Sequence, residues 1–354
     1  MDPLTHALSG ALLARAATQP QQQLHPGQRI LPLRLQIATG FAAAAFPDID
    51  LVLRLIDTLT YLNWHQGPTH SLLLLPIWAW LLAQFFSSIS RNRYHWKCFV
   101  LPASLGIAIH IAGDLITSYG LMLFAPFSIE RFSLPLVFVI DPWFTLIIIV
   151  GLIASWRYPQ QRIAAILALV VLCGYVFFLW TLHQQAVNLA KNHIHSNNLP
   201  EAQISVLPQP LSPFHWKIII RQDETYHLAD IDLRQSSSKP QAEAHKWLLS
   251  RMAATYRPES ENNWHIHHQF GDDPAYTPLI REAWHDSAFQ PFRSFVQFPI
   301  LERIDNSEHG LCAWFYDLRF KFPELPPSFR YAVCRLSDES GWKLVRQKGL
   351  FYID

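Results

Sequence analysis

Residues 98–125, CFVLPASLGIAIHIAGDLITSYGLMLFA, carry one carboxylate, Asp114, one imidazole, His110, and no Lys or Arg. A segment this apolar is long enough to cross about 30 Å of hydrocarbon at roughly 1.5 Å per helical residue. An ionisable group at such depth is costly, so it faces a protein interior and marks function. The neighbouring segments extend the pattern. Ser71–Ile89 and Ile163–Leu182 contain no charged residue, and each predicts a transmembrane helix. Leu134–Ala154 is as apolar but carries Asp141. Thr5–Ala17 and Leu35–Phe46 would reach only about 20 Å and predict short helices packed into the bundle.

Overall composition fits this picture: 50% of residues are hydrophobic and only 16% charged. The imbalance is confined to the first half. From His183 onward, charged, polar and aromatic residues mix as in a globular fold. The expected fold class is therefore an α-helical membrane bundle followed by a soluble α+β domain. The expected division is a membrane-embedded domain at 1–183, a linker at 184–205 and a soluble domain at 206–354. Strands are predicted at 216–221, 226–233, 264–270, 312–320, 331–336 and 342–351, with helices at 241–256 and 277–289. The tail's many aromatic side chains read as core. The only low-complexity tract is Gln21–Gln23.

Basic residues set an orientation. Arg15, Arg29, Arg34, Arg91, Arg93, Lys97, Arg157 and Arg162 fall in alternate loops, whereas the opposite loops hold Arg54 and Arg131. By the positive-inside rule the first set is cytoplasmic, which puts the tail in the periplasm of a bacterial inner-membrane protein. The N-terminus lacks a basic n-region and a cleavage site, so no signal peptide is expected. With a formal net charge of +1 and no basic stripe, a nucleic-acid partner is excluded. Membrane lipids are the partners such a chain implies, and its oligomeric state is open. Cys98 and Cys173 lie in apolar segments and Cys312 and Cys334 in the tail, with no CxxC spacing. Two buried free thiols are the favoured reading of the tail pair. A disulfide stays open, because both residues fall in predicted strands.

The ionisable residues of the first half gather in five motifs: Asp2-Pro-Leu-Thr-His6, Phe46-Pro-Asp-Ile-Asp50, His65-Gln-Gly-Pro-Thr-His70, His110-Ile-Ala-Gly-Asp114 and Asp141-Pro142. On this topology each lies at the outer end of an apolar segment, so they can meet. His110 and Asp114, spaced i and i+4, share one helical face. Pro68 separates His70 from His65 and favours His70 as a ligand. Asp141 before Pro142 also fits a helix N-cap. Five or more imidazoles and carboxylates at one membrane depth call for a cation. The candidate metal ligands are His6, Asp48, His70, His110, Asp114 and Asp141, and the candidate catalytic groups are Asp48, Asp50 and His65. Imidazole and carboxylate without thiolate suit a divalent metal, Zn²⁺ first and then Mn²⁺ or Fe²⁺, as one or two ions. Hydrolysis by a metal-activated water is the default chemistry. Neither a G-x-S-x-G elbow nor a P-loop is present. The alternative is a non-enzymatic membrane protein with a structural metal site or ion path and a partner-binding periplasmic domain.

MDPLTHALSGALLARA, FPDID, HQGPTHSLLLLP and HIAGDLITSYG together resemble the YdjM-like family over about residues 1–160. These are LexA-regulated inner-membrane proteins regarded as metal-dependent hydrolases. The order His6, Asp48, His70, then the His110 and Asp114 pair is more distantly similar to the zinc-dependent phospholipase C and P1 nuclease group. That likeness implies that Asp48 and Asp114 bridge or share ions, with His70 and His110 on one metal and His6 on another. It also implies metal binding by the free amino terminus, and a phosphoester or phospholipid-type, lipid-linked substrate. The group's later His and HxxxE ligands have no counterpart here, and Asp141 is the one candidate replacement.

Overall fold

The computed structural model describes residues 1–17, 30–158, 161–234, 247–258, 264–307, 310–336, 341–348 and 351–353. Gln21–Gln23, Arg29 and the first six residues of the helix expected at 241–256 lie outside them. The chain divides into two compact units, Met1–Thr181 and Leu182–Asp354.

The first unit contains helices α1 (Pro3–Ala17), α2 (Leu33–Ala45), α3 (Thr58–Trp64), α4 (Leu75–Ile89), α5 (Lys97–Leu115) and α6 (Pro142–Arg157), with two 3-10 segments, Pro47–Leu55 and Pro68–His70. Helices α1, α2 and α5 pack against one another, and α4 packs on α5. Without water to drive apolar association, close backbone approach replaces it. A Cβ on Gly10 of α1 would lie 2.3 Å from the Gly40 carbonyl oxygen of α2, and one on Gly106 of α5 would lie 2.6 Å from that same oxygen. Helix α4 turns small residues inward, Ala79, Ala83 and Ser87, and leaves Ile77, Trp80, Leu81, Phe85 and Ile89 exposed. That inverted polarity suits a hydrocarbon solvent.

Helices α5 and α7 (Ile163–Asn197) are each long and apolar enough to cross a membrane. Two bent pairs would bring the number to four: α2 with Pro47–Leu55, bent by 42°, and Thr58–His70 with α4, bent by 81°. The uninterrupted helix expected over Ser71–Ile89 thus begins only at Leu75. Ser71 Oγ donates to the Ala125 carbonyl (2.6 Å) and accepts from Leu73 N and Leu74 N, and Pro76 sits in the first turn. A proline is tolerated at a helix start and breaks an interior, so the helix starts there.

The second unit is α+β. Residues 184–205, expected as a linker, are not one: α7 runs on to Asn197, and β1 (Gln203–Pro208) follows within a few residues. A four-stranded antiparallel sheet has the order β1, β2 (His215–Gln222), β3 (Thr225–Asp232), β4 (His265–His268). A five-stranded one has the order β5 (Pro299–Ser307), β6 (Gly310–Asp317), β7 (Tyr331–Leu336), β8 (Lys343–Lys348), β9 (Phe351–Ile353). Among the described residues three helices accompany them: α8 (Leu248–Thr255), α9 (Thr277–His285) and α10 (Gln290–Phe295). The single helix expected at 277–289 stops at His285, because the Asp286 side chain accepts from Ala288 N and starts a new turn. Cys312 and Cys334 are register partners on β6 and β7 and form a disulfide, which corrects the expectation of two free thiols.

Candidate metal centre

Three chain breaks bring the ionisable motifs together. Helix α2 ends at Ala45 with Phe46 as its C-cap, and Pro47 opens the 3-10 segment whose first turn holds Asp48 and Asp50. Gln66, at φ 60°, and Pro68 set up the short 3-10 turn that ends on His70. Helix α5 then delivers His110 and Asp114 one turn apart near its C-terminal end.

Asp48, His70, His110 and Asp114 each offer a ligand atom, and these atoms lie within 4.8 Å of one another. His70 Nε2 and His110 Nε2 are each 3.3 Å from Asp114 Oδ2, and 3.9 and 3.7 Å from Asp48 Oδ1. The two Nε2 atoms are 2.9 Å apart. Tautomers decide what this means. His110 Nδ1 lies 2.6 Å from the Ala44 carbonyl oxygen, which can only accept, so in a neutral ring the proton sits on Nδ1 and Nε2 carries a lone pair. His70 Nδ1 lies 3.0 Å from Thr69 Oγ1 and 3.5 Å from Asp50 Oδ2. A proton on His70 Nδ1, favoured by the nearby Asp50 carboxylate, would turn the Nε2 lone pair inward in the same way. Asp114 Oδ2 and Asp48 Oδ2 are buried with no hydrogen-bond partner among the described residues. With both rings protonated on Nδ1, four acceptors converge, which is the arrangement a cation completes. This group could hold a metal ion.

The other expected site residues stand around this group. His6 lies outside the four: its Nε2 is 2.9 Å from the opposite oxygen, Asp114 Oδ1, which also accepts from the Met1 α-amino group, and its ring stacks on His110 with centroids 3.7 Å apart. Asp50 is saturated, taking His65 Nδ1 (2.9 Å), Gln66 N (3.0 Å) and Thr69 Oγ1 (3.4 Å). It thereby ties the 65–70 turn together and stands 3.5 Å from His70 Nδ1. His65 stacks on Tyr61 and meets His70 through Asp50. Asp141, expected as a ligand, caps α6 instead: Oδ1 accepts from Trp143 N and Phe144 N, and Oδ2 from the Tyr175 hydroxyl (2.9 Å). The Ala44 carbonyl was beyond sequence reasoning, because any residue supplies one. Thr69, inside the His65–His70 motif, carries no signal of its own in the sequence.

The fold and site together define a helical membrane protein with a buried histidine and carboxylate cluster able to bind a metal ion. Within that class the chain belongs to the family of the YdjM inner membrane protein, whose family model matches residues 1–186, more than half of its length. It is also similar to the uncharacterized protein YfhP of Bacillus subtilis (strain 168), 25% identical over 233 residues that cover 64% of this chain and 67% of YfhP. No solved structure matches it.

Proposed function

We propose that the chain is a membrane-bound hydrolase dependent on a divalent metal, zinc by preference, and that it cleaves phosphoester or phospholipid-type substrates. The observation that carries this reading is the convergence of two imidazoles and two carboxylates with ligand atoms within 4.8 Å of one another, of which Asp48 is 15% exposed while the other three are buried. A catalytic site keeps one coordination position open, and a partly exposed ligand is where an open position belongs. A bound divalent ion would lower the pKa of a water and stabilise the leaving oxygen of an ester.

The chain's own residues divide the remaining work. His70, His110 and Asp114 would hold the ion from the buried side. Asp48 faces the open side and would align the attacking water. Asp50 fixes His65 and His70, which leaves His65 Nε2 to move a proton. The apolar rim exposed around Asp48, with Ile49, Leu51, Val52, Leu55 and Ile56, favours an amphiphilic substrate at the membrane boundary. Placement of this boundary and of the C-terminal unit on the periplasmic side belongs to the same proposal.

Metal analysis of the detergent-purified chain followed by a panel of phosphomonoesters, phosphodiesters and phospholipids tests it. About one or two zinc ions per chain, with hydrolysis that a chelator stops and Asp48→Asn abolishes, is the expected result. Bound metal with no turnover of any panel member would favour a structural metal site.

A further inference from the structure

A second site lies at the other end of the same helices. Helices α2, α4 and α5 and the α4–α5 connection line an open cavity of about 670 Å³, within the range of small-molecule sites. Leu35, Ala38, Thr39 and Ala42, spaced i, i+3, i+4 and i+7 on α2, form one wall, and Phe86 and Phe99 form another. The hydroxyls of its helical walls are already used: Thr39 Oγ1 donates to the Leu35 carbonyl (2.7 Å) and Ser90 Oγ to the Ser87 carbonyl (2.7 Å). The wall therefore presents hydrocarbon. The rim is different. Arg91 and Arg93 line the cavity and are exposed, and neither forms an ion pair among the described residues.

Charge along the sequence sharpens the contrast. Between Asp2 and Asp48 there is no carboxylate, and none between Asp57 and Asp114, whereas Arg91, Arg93 and Lys97 crowd the α4–α5 connection. The Ala44 carbonyl and His110 mark the metal end of α2 and α5, while Leu35 and Phe99 mark the cavity end. One end of the bundle is acidic and the other purely basic. Tyr94 lines the cavity beside Trp96, and aromatic residues of this kind sit at the headgroup level of a bilayer.

We infer that this cavity binds an anionic glycerophospholipid, with one acyl chain against α2, Phe86 and Phe99 and the phosphate on Arg91 and Arg93. An apolar slot with a basic, carboxylate-free rim at the interface matches both parts of such a molecule. A zwitterionic lipid brings its own cation to the arginines and loses the second part. The site does not depend on the proposed hydrolase activity.

Native mass spectrometry of the full chain, exchanged into equal amounts of phosphatidylglycerol and phosphatidylcholine, tests it. Retention should favour phosphatidylglycerol by about tenfold, since each basic residue near an anionic headgroup contributes. The pair Arg91→Gln and Arg93→Gln should bring the ratio close to one, and Ala42→Phe, which fills the slot, should lower retention of both lipids. The pair Arg157→Gln and Arg162→Gln removes the same charge elsewhere and should leave the ratio unchanged. Equal retention of the two lipids by the unaltered chain would overturn the inference. So would equal losses in the two arginine pairs, or displacement of phosphatidylglycerol by inorganic phosphate, which would reduce the site to an anion pocket. Size-exclusion profiles and circular dichroism matching the unaltered chain show that each variant is folded.

Discussion

Asp114 in the helical unit and Asp317 in the C-terminal unit are both buried, at 1% and 0% exposure, yet their surroundings are opposites. Asp317 is completed from within: Oδ1 accepts from Arg319 N, and Oδ2 from Gln297 N (2.9 Å), Arg319 Nε (2.9 Å) and Arg319 Nη2 (2.7 Å). Asp114 satisfies only one oxygen, through His6 and the Met1 amine, and turns the other toward two imidazole lone pairs. A buried carboxylate supplied with its own donors is architecture. One surrounded by further ligand atoms is arranged to take a partner from outside the chain. The C-terminal unit shows the same self-sufficiency at Lys217, fully buried on β2, whose ammonium donates to the Leu318 (3.4 Å) and Lys321 carbonyls. Burial drives its pKa below the ordinary lysine value.

The sharpest way to break this comparison is to neutralise each carboxylate in turn. Asp114→Asn should abolish metal binding, from about one ion per chain to background by elemental analysis, because it removes the charge that both imidazoles share. If metal content is unchanged, the converging acceptors are not a site. Asp317→Asn should leave metal content alone and lower the stability of the C-terminal unit by about 3–5 kcal/mol, the usual cost of stranding one partner of a buried pair, here Arg319. Thermal unfolding of the full chain measures it. A variant as stable as the original would show that Asp317 is no more self-contained than Asp114.

Sequence reasoning found the parts of this contrast that local spacing determines. His110 and Asp114 are legible because a helix of known pitch puts i and i+4 on one face, and Pro68 distinguishes His70 from His65. Within FPDID, spacing does not tell the two aspartates apart, and only the resemblance singles out Asp48 as a ligand. Only the 3-10 turn after Pro47 sends Asp48 to the cluster and Asp50 to the 65–70 turn. Asp141 shows the reverse failure: an Asp-Pro pair at a membrane boundary serves as ligand or cap equally well, and Tyr175, far along the chain, decides for the cap. Strand β5 escaped notice because Glu302, Arg303 and Asp305 interrupt its apolar residues, and a bulge between Leu301 and Arg303 breaks its alternation. The Cys312–Cys334 bond depends on a register between β6 and β7 that neither strand encodes alone.

That bond sharpens the comparison from the other side, as a covalent means of closing the C-terminal unit on itself. The two cysteines are 22 residues apart, and removing the cross-link from a loop of that size should cost about 3 kcal/mol. Cys312→Ser together with Cys334→Ser should therefore lower the unfolding midpoint of the C-terminal unit without changing metal content. Mass spectrometry of alkylated, unreduced protein should find the two as a linked peptide pair. Two alkylated cysteines would instead place the tail in a reducing compartment and end the proposal that it is periplasmic.

The smallest effect expected is at Asp50, which separates holding a site from being the site. Its carboxylate touches His65, Gln66 N, Thr69 and His70 but offers nothing to the central group of four. It fixes the His70 tautomer by attracting the Nδ1 proton, and this is how an outer carboxylate raises the basicity of a metal-binding imidazole. Asp50→Asn keeps the size and one acceptor oxygen but loses the charge. Metal affinity should fall by about 10–100-fold, as it does when such partners are removed elsewhere, while the chain still binds metal at higher concentration. Competition titration with a zinc chelator gives the number. A complete loss equal to that of Asp114→Asn would make Asp50 a direct ligand, and an unchanged affinity would mean that Thr69 alone orients His70.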